Sequence, residues 1–377
     1  AITPLAAAAW ARGDHAAAAG IARSGTRISV VVSILLVGLL LAASPFLGIL
    51  GAPADVTEQT IPYFRWLVLS YGFRFAFGAF KQTTEALGNT RLPMIMALAA
   101  NVLNVIFNWM FIWGNLGMPA MGAEGAGFAT FLSRVASVGM AWWAWKRLPY
   151  FAALRNHSTA VASRDERRRL WSSGASIGLQ ITLEVLAFAT GAIMIGWLGA
   201  IPLASHQIAI NLASITFMVA LGLGSAGTIR VAAAHGVGDR EGVLRSARTV
   251  MTLVFGYEII AASTFVVLRH VLPTFYVQDA AVIDMAAHLL LYAAAFQMFD
   301  GMQAAGMGLL RGLGDTRVPT IIAFVSYTLI TMPVGYVCSI VLGMGAPGIW
   351  VGYLTGLVVA SVGYLRRFRL QTDKGSA

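Results

Sequence analysis

Glu184 and Asp300 are carboxylates set deep inside long apolar stretches, and no other residues of this sequence are better placed to do chemistry. A charge at membrane depth costs about 2.5 to 3.5 kcal/mol on insertion scales, so it marks a functional candidate. Glu184 lies 13 residues beyond Trp171, where its apolar run begins. That is about 20 Å along a helix, near the middle of a bilayer core. Gln180 stands one turn earlier on the same helix face. Asp300 lies about 10 residues from the inner end of its run, with Gln297 and Gln303 three residues to either side. Low dielectric disfavours the charged form of a carboxyl group, which suits it to take up and release a proton or to hold a dehydrated cation. The bland alternative is that each acid only hydrogen-bonds or ion-pairs with a neighbouring helix.

Other deep polar residues form two stripes, Asn101, Asn104 and Asn108 on one run and Gln207, Asn211 and Ser214 on another. Hydrogen bonding between helices accounts for such stripes, and lining a wet cleft is the alternative. His206, inside an apolar run, reads as a helix-contact residue. Arg74 and Arg134 are deep and unusual for a membrane span. The 15 methionines and 11% aromatic residues suit soft, adaptable binding walls as well as ordinary packing. The lysines are Lys81, Lys146 and Lys374, none preceded by glycine, so no phosphate-binding P-loop is present. No His-Glu-x-x-His motif or nucleophile–base set is visible either, so an enzyme is not expected. The single cysteine, Cys338, permits no disulfide within the chain. No cofactor is expected beyond a coupling ion, Na⁺ or H⁺, at Glu184 and Asp300.

These residues are carried by apolar runs at roughly 1–11, 28–50, 61–80, 92–113, 125–145, 171–198, 202–234, 247–272, 281–310, 318–343 and 348–365. With 58% hydrophobic and 11% charged residues, the chain is far from the roughly 25% charged composition of a soluble domain. It reads as an all-α polytopic membrane protein with the lipid bilayer as its main partner. The net charge of +10 comes from basic residues between the runs. They form no continuous patch, so a nucleic-acid partner is not expected. Arg12, Arg23 and Arg27, then Lys81 and Arg91, then Lys146 to Arg169 occupy alternate loops. Arg240, Arg245 and Arg248, then Arg311 and Arg317, then Arg366, Arg367 and Arg369 continue the series. The intervening loops carry Asp55, Glu58, Glu124 and Asp279. The basic loops and the C-terminus are therefore expected on the cytoplasmic side of an inner membrane.

An internal repeat organises the runs. Gly88-Asn89-Thr90-Arg91-Leu92-Pro93 recurs as Gly314-Asp315-Thr316-Arg317-Val318-Pro319, an offset of 226 residues, and Gly13-Asp14 recurs as Gly238-Asp239, an offset of 225. In both pairs glycine can end a helix in the left-handed conformation and an Asn, Asp or Thr can cap the next. Arg74 falls at the repeat position of Asp300, so the halves differ chemically there. We expect an N-terminal lobe over 1–147, a cytoplasmic linker over 148–170 and a C-terminal lobe over 171–377. The second half holds 67 residues between Trp171 and Gly238, the first only 12 before Gly13. A segment of about 55 residues, one helix and most of another, is thus expected to precede the sequence given. The whole would be two parallel six-helix bundles, twelve helices in all, of which about ten and a part are present here.

The run Glu184, Ser205-His206-Gln207-Ile208-Ala209, Gly222-Leu223-Gly224-Ser225-Ala226 and Gly238-Asp239 resembles the multidrug and toxic compound extrusion (MATE) family, in its NorM-like branch. So does Asp300 followed by Leu310-Arg311-Gly312-Leu313-Gly314-Asp315-Thr316-Arg317-Val318-Pro319. The resemblance spans the chain from the end of the family's second helix to its twelfth. It implies a secondary antiporter exporting lipophilic or cationic small molecules against Na⁺ or H⁺ by alternating access. Glu184 and Asp300 would hold the coupling cation, and the deep Gln and Asn residues would line the path. A monomer is expected. The chain departs from some relatives at Phe296, where they carry Tyr one turn before the acid. The competing expectations are a lipid-linked oligosaccharide flippase of the same superfamily, which would need Arg65, Arg74 and Arg134 on one cationic surface, and a chain that does not transport as it stands.

Overall fold

The computed structural model describes residues 1–46, 54–157 and 159–374, and among them it is helical throughout, with no strand. The last part of the apolar run 28–50 and the side chain of Asp55 lie outside the described residues. The chain divides into two compact units, Ala1–Trp171 and Ser172–Ala377. The first contains α1 (Ile2–Ala11), α2 (His15–Ala43), α3 (Ala54–Ala86), α4 (Arg91–Trp113), α5 (Gly122–Arg147) and the short α6 (Ala152–Asn156). After α7 (Arg164–Gly196) come α8 (Ala200–Gly236), α9 (Arg240–Val267) and α10 (Ala280–Gly312). Then α11 (Arg317–Phe324) and α12 (Met332–Tyr336), each followed by a π-helical stretch, lead to α13 (Ala346–Lys374).

The repeated loops fold alike because they repeat the same capping chemistry. Gly13 and Gly238 adopt φ of 77° and 74°, a region that costs a residue with a Cβ. Asp14 then accepts from the backbone N–H of Ala17, and Asp239 from that of Gly242, each at 2.8 Å. In the second pair Gly88 and Gly314 have φ of 93° and 77°. Asn89 accepts from Leu92 N–H at 3.0 Å and Asp315 from Val318 N–H at 3.4 Å. The Gly238→Ala substitution, which must hold positive φ, should lower thermal stability by about 1 kcal/mol. An unchanged melting temperature would contradict this account of the turn.

Several helices begin earlier than their apolar runs suggest, and in α2 and α7 caps explain the start. The Asp14 cap starts α2 at His15 rather than near residue 28. Upstream of Trp171, Ser163 and Glu166 close a reciprocal capping box, with Ser163 N–H donating to Glu166 Oε2 at 2.7 Å and Glu166 N–H to Ser163 Oγ at 3.2 Å. That box starts α7 at Arg164, inside the polar stretch.

Eight helical segments among the described residues are long and apolar enough to cross a bilayer. The helices α3 and α5, of 33 and 26 residues, are less apolar; they carry Arg65 and Arg74, and Arg134. Outward faces are rich in large apolar side chains such as Leu35, Leu39, Val105, Ile260 and Val267, each more than 60% exposed. On a soluble protein such surface would drive aggregation, whereas in hydrocarbon it is the required exterior.

Within the second unit α10 is the central helix. It packs against α8, α9 and α13, and half of its apolar span is buried. Its face is built of small residues, so α8 approaches backbone to backbone: a Cβ at Gly308 would collide with the carbonyl oxygen of Gly224 and lie 3.2 Å from its Cα. Thr228 on α8 closes the contact, its hydroxyl donating to Gly308 O at 2.8 Å. Small residues serve here because neighbouring helices gain no hydrophobic drive from lipid and rely on close packing. Above this contact Phe296, Trp350, Tyr353 and Phe188 form an aromatic cluster into which His206 fits, its ring 5.7 Å from that of Trp350.

Candidate functional site

The second unit contains a cavity of about 530 Å³ among α7, α8 and α10. Glu184 from α7 and Asp300 from α10 both lie on its wall, together with Arg311 near the end of α10. The remaining lining is apolar and soft, including Phe188, Phe217, Met218 and Met307. Asp300 is 5% exposed, and its Oδ1 has no hydrogen-bond partner. Glu184 lies within electrostatic reach of both Asp300 and Arg311. Among the described residues no ion pair closes on either acid. The arrangement is a largely apolar chamber with two carboxylates on its wall, neither of them closed into an ion pair. Chemically it can take a proton or small cation at the acids and an apolar cation against the aromatic and methionine wall.

The flanking glutamines are not on this wall. Gln180 is buried and fully used in packing: its Nε2 donates to Thr316 O at 3.0 Å and to Thr320 Oγ1 at 2.9 Å, and its Oε1 accepts from Arg311 Nη2 at 3.2 Å. It thereby holds Arg311 in place and ties α7 to the start of α11. Gln297 accepts from the Thr216 hydroxyl at 2.9 Å, leaving its Nε2 unpartnered. Gln303 donates to Tyr327 at 2.9 Å, leaving its Oε1 unpartnered. Gln207 and Asn211 are exposed on α8, where Asn211 accepts from the Tyr276 hydroxyl at 2.7 Å.

The asparagines of the first unit belong to a different chamber. Asn101 and Asn104 line a cavity of about 310 Å³ with Arg74, Arg134, Ser133 and Ser137. Asn104 donates to Ser133 at 3.4 Å, and Asn108 donates to Asn104 at 3.1 Å. Arg134 donates to Ser70 and stands 5.2 Å from the centre of the Tyr71 ring. Arg65 is not on that wall; its Nε donates to Ser44 at 3.4 Å.

The structure adds one carboxylate that sequence analysis passed over. Glu258 on α9 is 1% exposed, its Oε2 lacks a partner, and Asp300 lies within its electrostatic reach. Its side chain fits because Gly301 has no Cβ, which would collide with Oε1. The signal was available: Glu258 sits 11 residues into the run 247–272, as deep as Glu184 in its own. Among the described residues no group of three or more His, Cys, Asp or Glu side chains gathers as a metal site.

The MatE family profile matches residues 1–110 and 177–337. The chain is 33% identical over 374 residues to the "Probable multidrug resistance protein NorM" of Mesorhizobium japonicum, covering 93% of this chain and 76% of that protein. It is 31% identical to the "Multidrug resistance protein MdtK" of Edwardsiella ictaluri, over 90% of this chain and 75% of that one. Among solved structures it resembles the eukaryotic MATE transporter AtDTX14, with a TM-score of 0.87 at 18% identity, over 99% of this chain and 84% of that one. An outward-facing multidrug resistance MATE transporter of the MOP superfamily gives a TM-score of 0.81, also at 18% identity, over 100% and 83%. With a profile that matches most of its length and a one-third-identical relative over nearly all of it, this chain belongs to the multidrug and toxic compound extrusion (MATE) family.

Proposed function

We propose that the protein is a secondary antiporter that exports lipophilic organic cations from the cytoplasm in exchange for Na⁺ or H⁺. The observation that carries this reading is the second-unit cavity, where Glu184 and Asp300 share one soft, aromatic and methionine-lined wall. A cation on the acids and a cationic substrate on the same wall compete for the same negative charge. Such competition is what exchange requires, since each ligand lowers the affinity for the other. The printed names of the relatives, multidrug resistance proteins, support a drug-like substrate. The chain would work as a monomer in the inner membrane, its basic loops, 148–170 linker and C-terminus facing the cytoplasm, and would pass between inward- and outward-open states.

The competing flippase reading asks for Arg65, Arg74 and Arg134 on one surface, and Arg65 instead turns to Ser44. The test is export of a fluorescent lipophilic cation from proteoliposomes under an imposed pH or Na⁺ gradient. Gradient-driven export should fall on the order of tenfold or more in Glu184→Gln, the loss of one positioned charged partner. Equal export by the wild type and this variant would remove Glu184 from the mechanism. No export by well-folded wild type would sink the drug-efflux reading.

A further inference from the structure

A second lined space in the first unit has no role in that mechanism. It is a cavity of about 440 Å³ among α2, α3, α5 and α6. Its floor is apolar, built from Ala22, Phe80, Val138, Trp145 and Leu154, with Trp142 at its side. Its rim is basic: Arg23, Arg27, Arg155 and His157. Arg23 and Arg27 stand just before the apolar run 28–50 begins, and Arg155 and His157 follow the run 125–145 after a short loop. The basic residues therefore lie at one membrane–water interface, while Val138, seven residues before the end of the run 125–145, lies deeper on the hydrocarbon side. Trp142 and Trp145 have the amphipathic ring character favoured at that level.

The rim's basic side chains are not used up internally. Among the described residues none of the four is in an ion pair with Asp or Glu. Arg155 donates to the backbone oxygens of Trp145 and Leu148, which fixes its position and leaves its charge uncompensated. Arg23 makes one long bond to Ala160 O at 3.5 Å, and Arg27 is exposed. Packing of α6 beside α2, with Leu154 buried, forms part of the chamber. An apolar slot with a cationic rim at headgroup depth matches one ligand chemistry, a negatively charged headgroup above acyl chains.

We propose that this cavity is a binding site for an anionic phospholipid, its phosphate held by Arg23, Arg27, Arg155 and His157 and an acyl chain lying along Phe80, Val138 and Trp145. Charge complementarity selects the anionic lipid over a zwitterionic one, and the apolar floor selects a lipid over free phosphate. The site involves neither Glu184 nor Asp300, so its occupancy is read apart from transport.

The test uses the purified protein in nanodiscs or detergent, titrated with phosphatidylglycerol, phosphatidylcholine or inorganic phosphate, with binding read by native mass spectrometry and thermal shift. Phosphatidylglycerol should bind and raise the melting temperature, while phosphatidylcholine and inorganic phosphate should do neither. The double variant Arg23→Gln with Arg27→Gln should bind phosphatidylglycerol about thirtyfold more weakly, the loss expected for two basic residues at a membrane surface. Arg27→Gln alone, which removes an exposed side chain, should weaken binding about fivefold and decides the matter if the double variant does not fold. Phosphatidylglycerol binding that is equal in wild type and Arg27→Gln, or matched by phosphatidylcholine, would overturn the proposal. Stabilisation by inorganic phosphate as strong as by the lipid would overturn it too, showing an anion site without a lipid.

Discussion

Asp300→Asn should reduce gradient-driven export of a lipophilic cation to background, a loss on the order of a hundredfold, the lower end of what a positioned proton-transferring group contributes. Three observations set that size. Asp300 is almost wholly enclosed on the central helix, its Oδ1 has no partner, and it faces the same chamber as Glu184. Asparagine keeps the shape and the packing of α10 but cannot ionise, so it cannot alternate between empty and cation-bound forms. Glu184 on the same wall is only half-buried, and Glu258 is buried within electrostatic reach of Asp300 but does not line the chamber. The check is initial export rate in proteoliposomes, with passive substrate binding measured beside it. Normal export by Asp300→Asn would show that the coupling cation is held elsewhere.

Gly308→Ala should cost about 3 kcal/mol of stability, although alanine in a helix is normally worth about 1 kcal/mol over glycine. The added methyl would collide with the Gly224 carbonyl oxygen and lie 2.9 Å from the carbonyl carbon behind it. Those atoms are backbone, so no side chain can swing aside; α8 and α10 must part. Separation also stretches the bond from Thr228 to Gly308 O. Gly256→Ala on α9 is the control, because nothing lies within 4 Å of its added carbon. Thermal unfolding of both variants should show a large fall for the first and a small rise or no change for the second. Similar melting temperatures would mean that the α8–α10 contact is not as close as described.

How much of this was legible beforehand follows from the kind of interaction involved. Membrane spans were readable because twenty apolar residues in a row have few other fates. The repeated turns were readable because their chemistry is local: Gly13-Asp14 and Gly238-Asp239 carry their own cap. Helix starts were misplaced where the cap sat in polar sequence, as at Ser163 and Glu166, since periodic hydrophobicity begins only later. Glu184 and Asp300 stood out through the cost of burying charge, and they line one cavity. Glu258 met the same criterion and needed the structure only to show that Gly301 makes room for it. Gln180 was different in kind. Its partners Thr316 and Thr320 lie 136 and 140 residues away, and no spacing rule joins residues across such a distance. Its role in packing, and that of Gln303 with Tyr327, could be read only from the folded chain.

The claim at the centre of this account is exchange, and exchange is best tested without an imposed ion gradient. Proteoliposomes holding a proton- or Na⁺-sensitive dye are given tetraphenylphosphonium on one side only, and ion movement in the opposite direction is followed with time. The account predicts that substrate moving down its own gradient drives H⁺ or Na⁺ the other way, and that Asp300→Asn abolishes that ion movement. Substrate flux unaccompanied by any counter-movement of either ion would contradict it.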